Sequence, residues 1–278
     1  MTAAGQSDGQ RDGRIEAAFA RLKAEGQTGL VAFLTVGYPD VESTLRLVPA
    51  LVAGGAAMIE LGVPFSDPLA EGRTIQRSSF HALQRGVTPA VCLDVAGKLR
   101  SAGVQAPLLL MGYYNPILAY GVAEFTRDAA AAGVDGLIVV DLPPEESGPL
   151  RRACIENNVR LIYLLAPTST DERLRQVAEL ASGFVYCVSV TGVTGARQEL
   201  PPGLDAFVQR VRRFTDLPIA VGFGISQPKH FQAVARIAEA AVIGSAIIDE
   251  IDRSDPSEQT ARVRAYAEVV TGRRGAAA

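Results

Sequence analysis

Eight short apolar runs alternating with amphipathic stretches predict a (β/α)8 barrel, preceded by one extra helix and carrying long loops after its second and sixth strands. Three observations carry this expectation. The runs are almost continuously hydrophobic, as parallel strands covered on both faces should be. The stretches between them open on helix-start residues and several close on Gly or Asn. The spacing is uneven, and its two long connections lie where barrels place their active-site loops. The 278 residues, 48% of them hydrophobic, suffice for one large core. One domain is expected over 15–270, between a polar disordered leader (1–14) and a disordered tail (271–278).

In chain order, IEAAFARLKAEG (15–26) has helical apolar spacing and stops at Gly26. LVAFLTV (30–36) reads as the first strand. The helix after it starts at Asp40, and Pro49 inside it predicts a kink or break. AMIELGV (57–63) is the second strand. The widest gap follows, holding PFSDPLAEG, an extra helix near 75–85, and the expected helix beginning at Thr88. PLLLMGY (107–113), GLIVVDL (136–142) and RLIYLLA (160–166) are strands three to five, separated by VAEFTRDAAAAG and PEESGPLRRACIENN. DERLRQVAELA, opened by Thr170–Asp171, leads to GFVYCVSV (183–190) and then to the long loop TGVTGARQELPPG (191–203). Strands seven and eight are PIAVGFGI (218–225) and AAVIGSAII (240–248), with helices LDAFVQRVRRFTD and QPKHFQAVARIAE before them.

Composition excludes several function classes. A net charge of −3 with Lys and Arg dispersed argues against nucleic acid or an anionic membrane as main partner. No apolar run is long enough to span a bilayer, and the first residues lack a signal-peptide core. Cys92, Cys154 and Cys187 are odd in number and far apart, which fits a reducing cytoplasmic setting and neither a disulfide framework nor a zinc site. His81 and His230 are isolated in polar helical contexts and read as surface residues, so no histidine triad or histidine metal site is expected.

Against this background Glu60 stands out. It interrupts an apolar strand, sharing one face with Met58 and Gly62 while Ile59, Leu61 and Val63 share the other. A buried carboxylate is paired, protonated or working. The loop behind it adds Asp67 and Glu71. Two readings stand: a structural carboxylate satisfied by its surroundings, or a catalytic one. A second feature follows strands seven and eight. Gly222–Phe223–Gly224 follows strand seven and Gly244–Ser245 lies in run eight. These are the positions where barrels bind a phosphate through backbone N–H groups and a short helix N-terminus. Gly192 and Gly195 could complete the cup; otherwise these glycines only permit tight turns.

The segments ELGVPFSDPLAEG, AFLTVGYPD (32–40), MGYYNPI (111–117), DLPPEES (141–147), SVTGVTG (189–195), GFGIS (222–226) and IGSAI (243–247) closely resemble the tryptophan synthase α subunit family, over about residues 15–250. The resemblance implies a TIM barrel and an indole-3-glycerol-phosphate lyase of tryptophan biosynthesis, forming indole and glyceraldehyde 3-phosphate without cofactor or metal. It implies a pyridoxal-phosphate-dependent β subunit as partner in an α2β2 assembly, docked on the rim around Pro64–Asp67–Pro68 and Tyr114–Asn115–Pro116. Glu60 matches the family's acid–base carboxylate and Glu71 the second carboxylate. Phe33, Met111, Tyr113 and Tyr186 match residues packing or orienting the indole, and Thr194 a lid residue reaching the second carboxylate. Gly195, Gly224, Gly244 and Ser245 fall at the phosphate. Three positions depart from the family: Glu71 replaces the usual aspartate, Arg73 replaces the usual proline, and Val190 stands where the family often has arginine. Activity is therefore expected to be kept but lowered. Alternatives are a weakly active or silent allosteric partner of the β subunit and a stand-alone lyase releasing indole.

Overall fold

The computed structural model describes residues 13–188, 202–222 and 224–273. The chain opens with α1 (Arg14–Glu25) and β1 (Gly29–Thr35), then α2 (Val41–Ala53), β2 (Ala56–Gly62), α3 (Arg73–Gln84) and α4 (Pro89–Ser101). It continues through β3 (Leu108–Gly112), α5 (Tyr114–Tyr120), α6 (Val122–Ala131), β4 (Gly136–Val139), α7 (Gly148–Glu156), β5 (Arg160–Leu165) and α8 (Asp171–Leu180). The last part holds β6 (Val185–Val188), α9 (Leu204–Arg212), β7 (Ile219–Gly222), α10 (Pro228–Ala235), β8 (Ala240–Ile243), α11 (Ser245–Arg253) and α12 (Gln259–Val270). The eight strands pair in sequence order, all parallel, and β1 closes on β8. The expected barrel is present, with its extra leading helix and the extra helix after strand two.

Strand periodicity divides the core into two shells. Inward positions Val31, Met58, Leu109, Ile138, Ile162, Ala220 and Ala240 form one buried cluster inside the barrel. Outward positions such as Ile59, Leu61, Leu108 and Leu110 join the helices in a second, larger cluster. Glu60 therefore projects inward, the same way as Met58. Beneath the interior, α1 stops the barrel's N-terminal end: Ile15, Ala18, Phe19 and Leu22 join the inner cluster, and the Phe19 ring lies 5.7 Å from that of Phe184.

Charged side chains fasten that lower end. Asp135 accepts hydrogen bonds from Arg14 (3.0 Å), Arg100 (2.5 Å) and the Leu108 N–H (2.8 Å), while Arg160 donates to Glu16 (2.5 Å).

Several expectations need correction. Run eight does not continue to residue 248: β8 stops at Ile243 and Ser245 starts α11, because a short apolar run does not tell a strand from a buried helix turn. α5, α11 and α12 are helices that the apolar pattern did not separate. Pro49 does not break its helix, which is assigned continuously from Val41 to Ala53. His230 is not on the surface. It is 3% exposed, and its Nδ1 accepts the Ser226 N–H at 3.4 Å, bracing the turn after β7. The leader to residue 12, the tail from 274, and Val190, Gly192, Thr194 and Gly195 lie outside the described residues.

Candidate active site

The upper ends of the strands surround a cavity of about 160 Å³. Phe33, Glu60, Met111, Leu164, Tyr186, Val188, Gly222 and Val242 line it from the strands, with Val140, Gly244 and Ser245 just past strand ends. Each strand residue sits two or four positions beyond an inward-pointing core residue, so the wall is the next layer of the barrel interior. Val140, Leu164 and Val242 were not singled out from the sequence. Period-two counting from the inner positions would have found them.

Glu60 is 1% exposed, and its Oε2 has no hydrogen-bond partner among the described residues. Burial, reinforced by the charge of Glu71, pushes its pKa up to about 8. Burial also raises the Tyr186 hydroxyl well above its ordinary range, and the Glu60 charge adds to the effect. The carboxyl thus holds a proton near neutrality, against an apolar wall, with no basic side chain among the described residues lining the cavity.

Glu71 reaches the same cavity from the loop between β2 and α3. The Tyr113 hydroxyl donates to its Oε2 and accepts the Ala70 N–H at 2.9 Å. The Tyr113 ring stacks on Phe65 at 4.8 Å. Burial raises the Glu71 pKa, the Tyr113 hydrogen bond lowers it, and Asp141 raises it. Tyr113 does not line the main cavity. It lines a small pocket that shares Phe33, Glu71 and Met111 with the main cavity. Arg73 is exposed at the first turn of α3 and makes no ion pair among the described residues.

From the segments after β7 and β8, Gly224, Ser226, Gly244, Ser245 and Ala246 line the same cavity. Gly244 caps α11, and its carbonyl accepts the N–H groups of Ile247 (2.9 Å) and Ile248 (3.1 Å). The N–H groups before them form the open first turn of that helix, an anion-binding geometry. Gly224 adopts φ +67°, a conformation that favours glycine. Gly222 and Gly244 have a further reason to be glycine. A Cβ at Gly222 would lie 2.6 Å from the Tyr186 hydroxyl, and one at Gly244 would lie 3.0 Å from the Phe33 ring. These small residues make room for the aromatic walls.

Of the residues singled out from the sequence, the structure gathers Glu60, Glu71, Phe33, Met111, Tyr186, Gly224, Gly244 and Ser245 around one cavity. The arrangement offers a proton-holding acid in an apolar slot, a second carboxylate and a helix N-terminus around one cavity.

A family profile described as "Tryptophan synthase alpha chain" matches residues 19–275. A tryptophan synthase alpha chain of Roseiflexus castenholzii is 53% identical over 259 residues, 93% of this chain and 99% of the relative. One from Acidiphilium cryptum is 50% identical over 238 residues, 86% of each. Among solved structures, tryptophan synthase subunit alpha from Legionella pneumophila superposes with a TM-score of 0.86 at 35% identity, covering 93% of this chain and 97% of that one. A Mycobacterium tuberculosis tryptophan synthase structure gives a TM-score of 0.86 at 37% identity, with the same coverage.

Proposed function

The chain belongs to the tryptophan synthase alpha chain family, and from that premise we propose that Glu60 is the acid–base group and Glu71 the electrostatic group of its lyase site. The protein is a lyase that cleaves indole-3-glycerol phosphate in tryptophan biosynthesis, and its partner is the β subunit of tryptophan synthase. Assembly as α2β2 in the cytoplasm completes this reading.

The reaction is a retro-aldol cleavage. Indole C3 gains a proton, the glycerol carbon–C3 bond breaks, and the hydroxyl on that carbon loses its proton as the aldehyde forms. Protonated Glu60 gives its proton to C3, and the resulting carboxylate takes the hydroxyl proton, so one group closes the cycle. A pKa near 8 keeps both forms accessible around neutral pH. Positive charge develops on the ring nitrogen when C3 is protonated, and the Glu71 carboxylate stabilises it. Phe33, Met111 and Tyr186 hold the ring, while Gly224, Gly244 and Ser245 hold the phosphate. The family resemblance assigns Thr194 to the second carboxylate and Gly195 to the phosphate.

The observation carrying this reading is a fully buried acid whose Oε2 has no hydrogen-bond partner among the described residues, inside a cavity that a helix N-terminus also lines. Glu60→Gln keeps the shape and removes the transferable proton. Its indole release should fall by at least about a hundredfold in single-turnover assay. Turnover at the parent rate would return Glu60 to a structural role.

A further inference from the structure

Outside the cavity, two rungs join α3 to α11. The Thr74 hydroxyl donates to Asp249 at 3.4 Å, and one turn further along both helices Arg77 donates to Asp252. The Tyr38 hydroxyl donates to the other oxygen of Asp252, and the Tyr38 ring meets His81 of α3 edge-on at 5.3 Å. Both helices begin at the site. α3 starts two residues after Glu71, and α11 starts at Ser245.

α3 is itself gripped on its other sides. Thr35 on β1 bonds Ser78 at 2.6 Å, and the Ser79 hydroxyl accepts the Phe65 N–H at 3.0 Å. Gln76 donates to the carbonyls of Glu71 (2.9 Å) and Pro68 (3.2 Å). A shift of α3 against α11 therefore carries the Glu71 backbone with it.

We infer that the Thr74–Asp249 and Arg77–Asp252 rungs are a spacer: they set the separation between the phosphate-holding N-terminus of α11 and the Glu71 carboxylate. This inference rests on the lyase reading above. The spacer would define which length of phosphate-bearing chain lets an aromatic N–H reach Glu71. Its rungs act through Glu71 and touch no reacting atom, so these four are positioning residues. Magnitudes separate this role from simple stabilisation. The Arg77 and Asp252 side chains are 57% and 26% exposed, and such a bridge adds only about 0–1 kcal/mol to stability. A displacement of about 1 Å at a reacting centre costs up to about a hundredfold in rate.

The test uses the full-length chain with indole-3-glycerol phosphate, and Arg77→Ala, Asp252→Ala and Thr74→Val variants. Expected is a fall in kcat/KM of about tenfold for the Arg77→Ala/Thr74→Val double variant. Inhibition by glycerol 3-phosphate alone and by indole alone should stay within about twofold, because each half-site is intact and only their linkage changes. In a Glu71→Gln background the same substitutions should cost less than about twofold more. Arg77→Lys should recover most of the loss. Unchanged kcat/KM in the double variant, or a full multiplicative loss on top of Glu71→Gln, overturns the spacer. Should single variants fail to fold, the charge-exchanged Arg77→Asp/Asp252→Arg pair decides: folded but slow, it overturns the inference, and restored turnover upholds it. A parent chain that releases no indole sinks the lyase reading and the spacer with it, whereas an active parent with indifferent variants sinks the spacer alone.

Discussion

Glu60 links a folding cost to a chemical use. Its folded pKa, about 8, lies above the ordinary 4.5, so the folded chain keeps a proton that the unfolded chain has released. Stability therefore falls as pH rises from about 4.5 to about 8, at up to about 1.4 kcal/mol per pH unit, and levels off above. Glu60→Gln removes that slope. Urea unfolding across this window should show a gain over the parent that is near zero at the acid end and largest above pH 8, while turnover is lost. A constant gain would show that Glu60 keeps no shifted pKa. At Glu71 the expectation runs through Tyr113, whose hydroxyl holds the carboxylate down against burial. Tyr113→Phe should lower kcat about tenfold, as loss of a hydrogen bond to a charged group. It should also move the acid limb of the kcat–pH profile upward, because Glu71 then needs higher pH to ionise. An unshifted limb would detach Tyr113 from the chemistry. Glu60 was legible from its place in an apolar strand, whereas the Tyr113–Glu71 pair was not, since it joins positions 42 residues apart.

Among elements, α3 carries the most consequence. Its first residue, Arg73, puts a positive charge at a helix N-terminus, where the macrodipole disfavours it. The residue before it, Gly72, has φ −79° and ψ 171°, the extended form that a following proline requires. Proline is well suited to that first helical position. Arg73→Pro should therefore stabilise by about 0.4–1 kcal/mol, raising Tm by about 1–4 °C in calorimetry. A lower Tm would show that the Arg73 N–H or side chain does something the backbone geometry does not reveal. The extra helix near 75–85 was readable because caps and apolar spacing are local. α11 was not, because IGSAII reads equally well as the end of a strand until the barrel closes and fixes where β8 stops.

At the scale of the molecule, the barrel keeps stability and chemistry at opposite ends. The lower end is stopped by α1 and fastened by Asp135, whose carboxylate joins Arg14, Arg100 and the Leu108 N–H. Arg100 and Asp135 are 13% and 10% exposed, so removing one strands the other with little water. Asp135→Ala should cost about 3–5 kcal/mol in urea unfolding, with kcat within about twofold of the parent at a temperature where both are folded. A stable but slow variant would mean the two ends communicate. At the upper end, six strands contribute side chains to the cavity wall, Val140 joins them from just past β4, and four glycines (Gly222, Gly224, Gly244 and the Gly62 against which Phe33 packs) leave room for rings and backbone.

The eight strands, the helices other than α5, α11 and α12, the face that Glu60 shares with Met58, the long connection after strand two and the glycines at strands seven and eight were legible in residue order alone. Each is set by a short-range rule of periodicity, capping or turn chemistry. Tertiary structure decided what no local rule contains: that Glu60 points inward with its Oε2 unpartnered among the described residues, that Tyr113 turns to Glu71 and away from the main cavity, that His230 is buried against Ser226, and that α3 is bolted to α11 across 175 residues. The reason is physical. Burial and long-range hydrogen bonds depend on which surfaces meet when the barrel closes, and closure brings together side chains whose separation along the chain carries no trace of it.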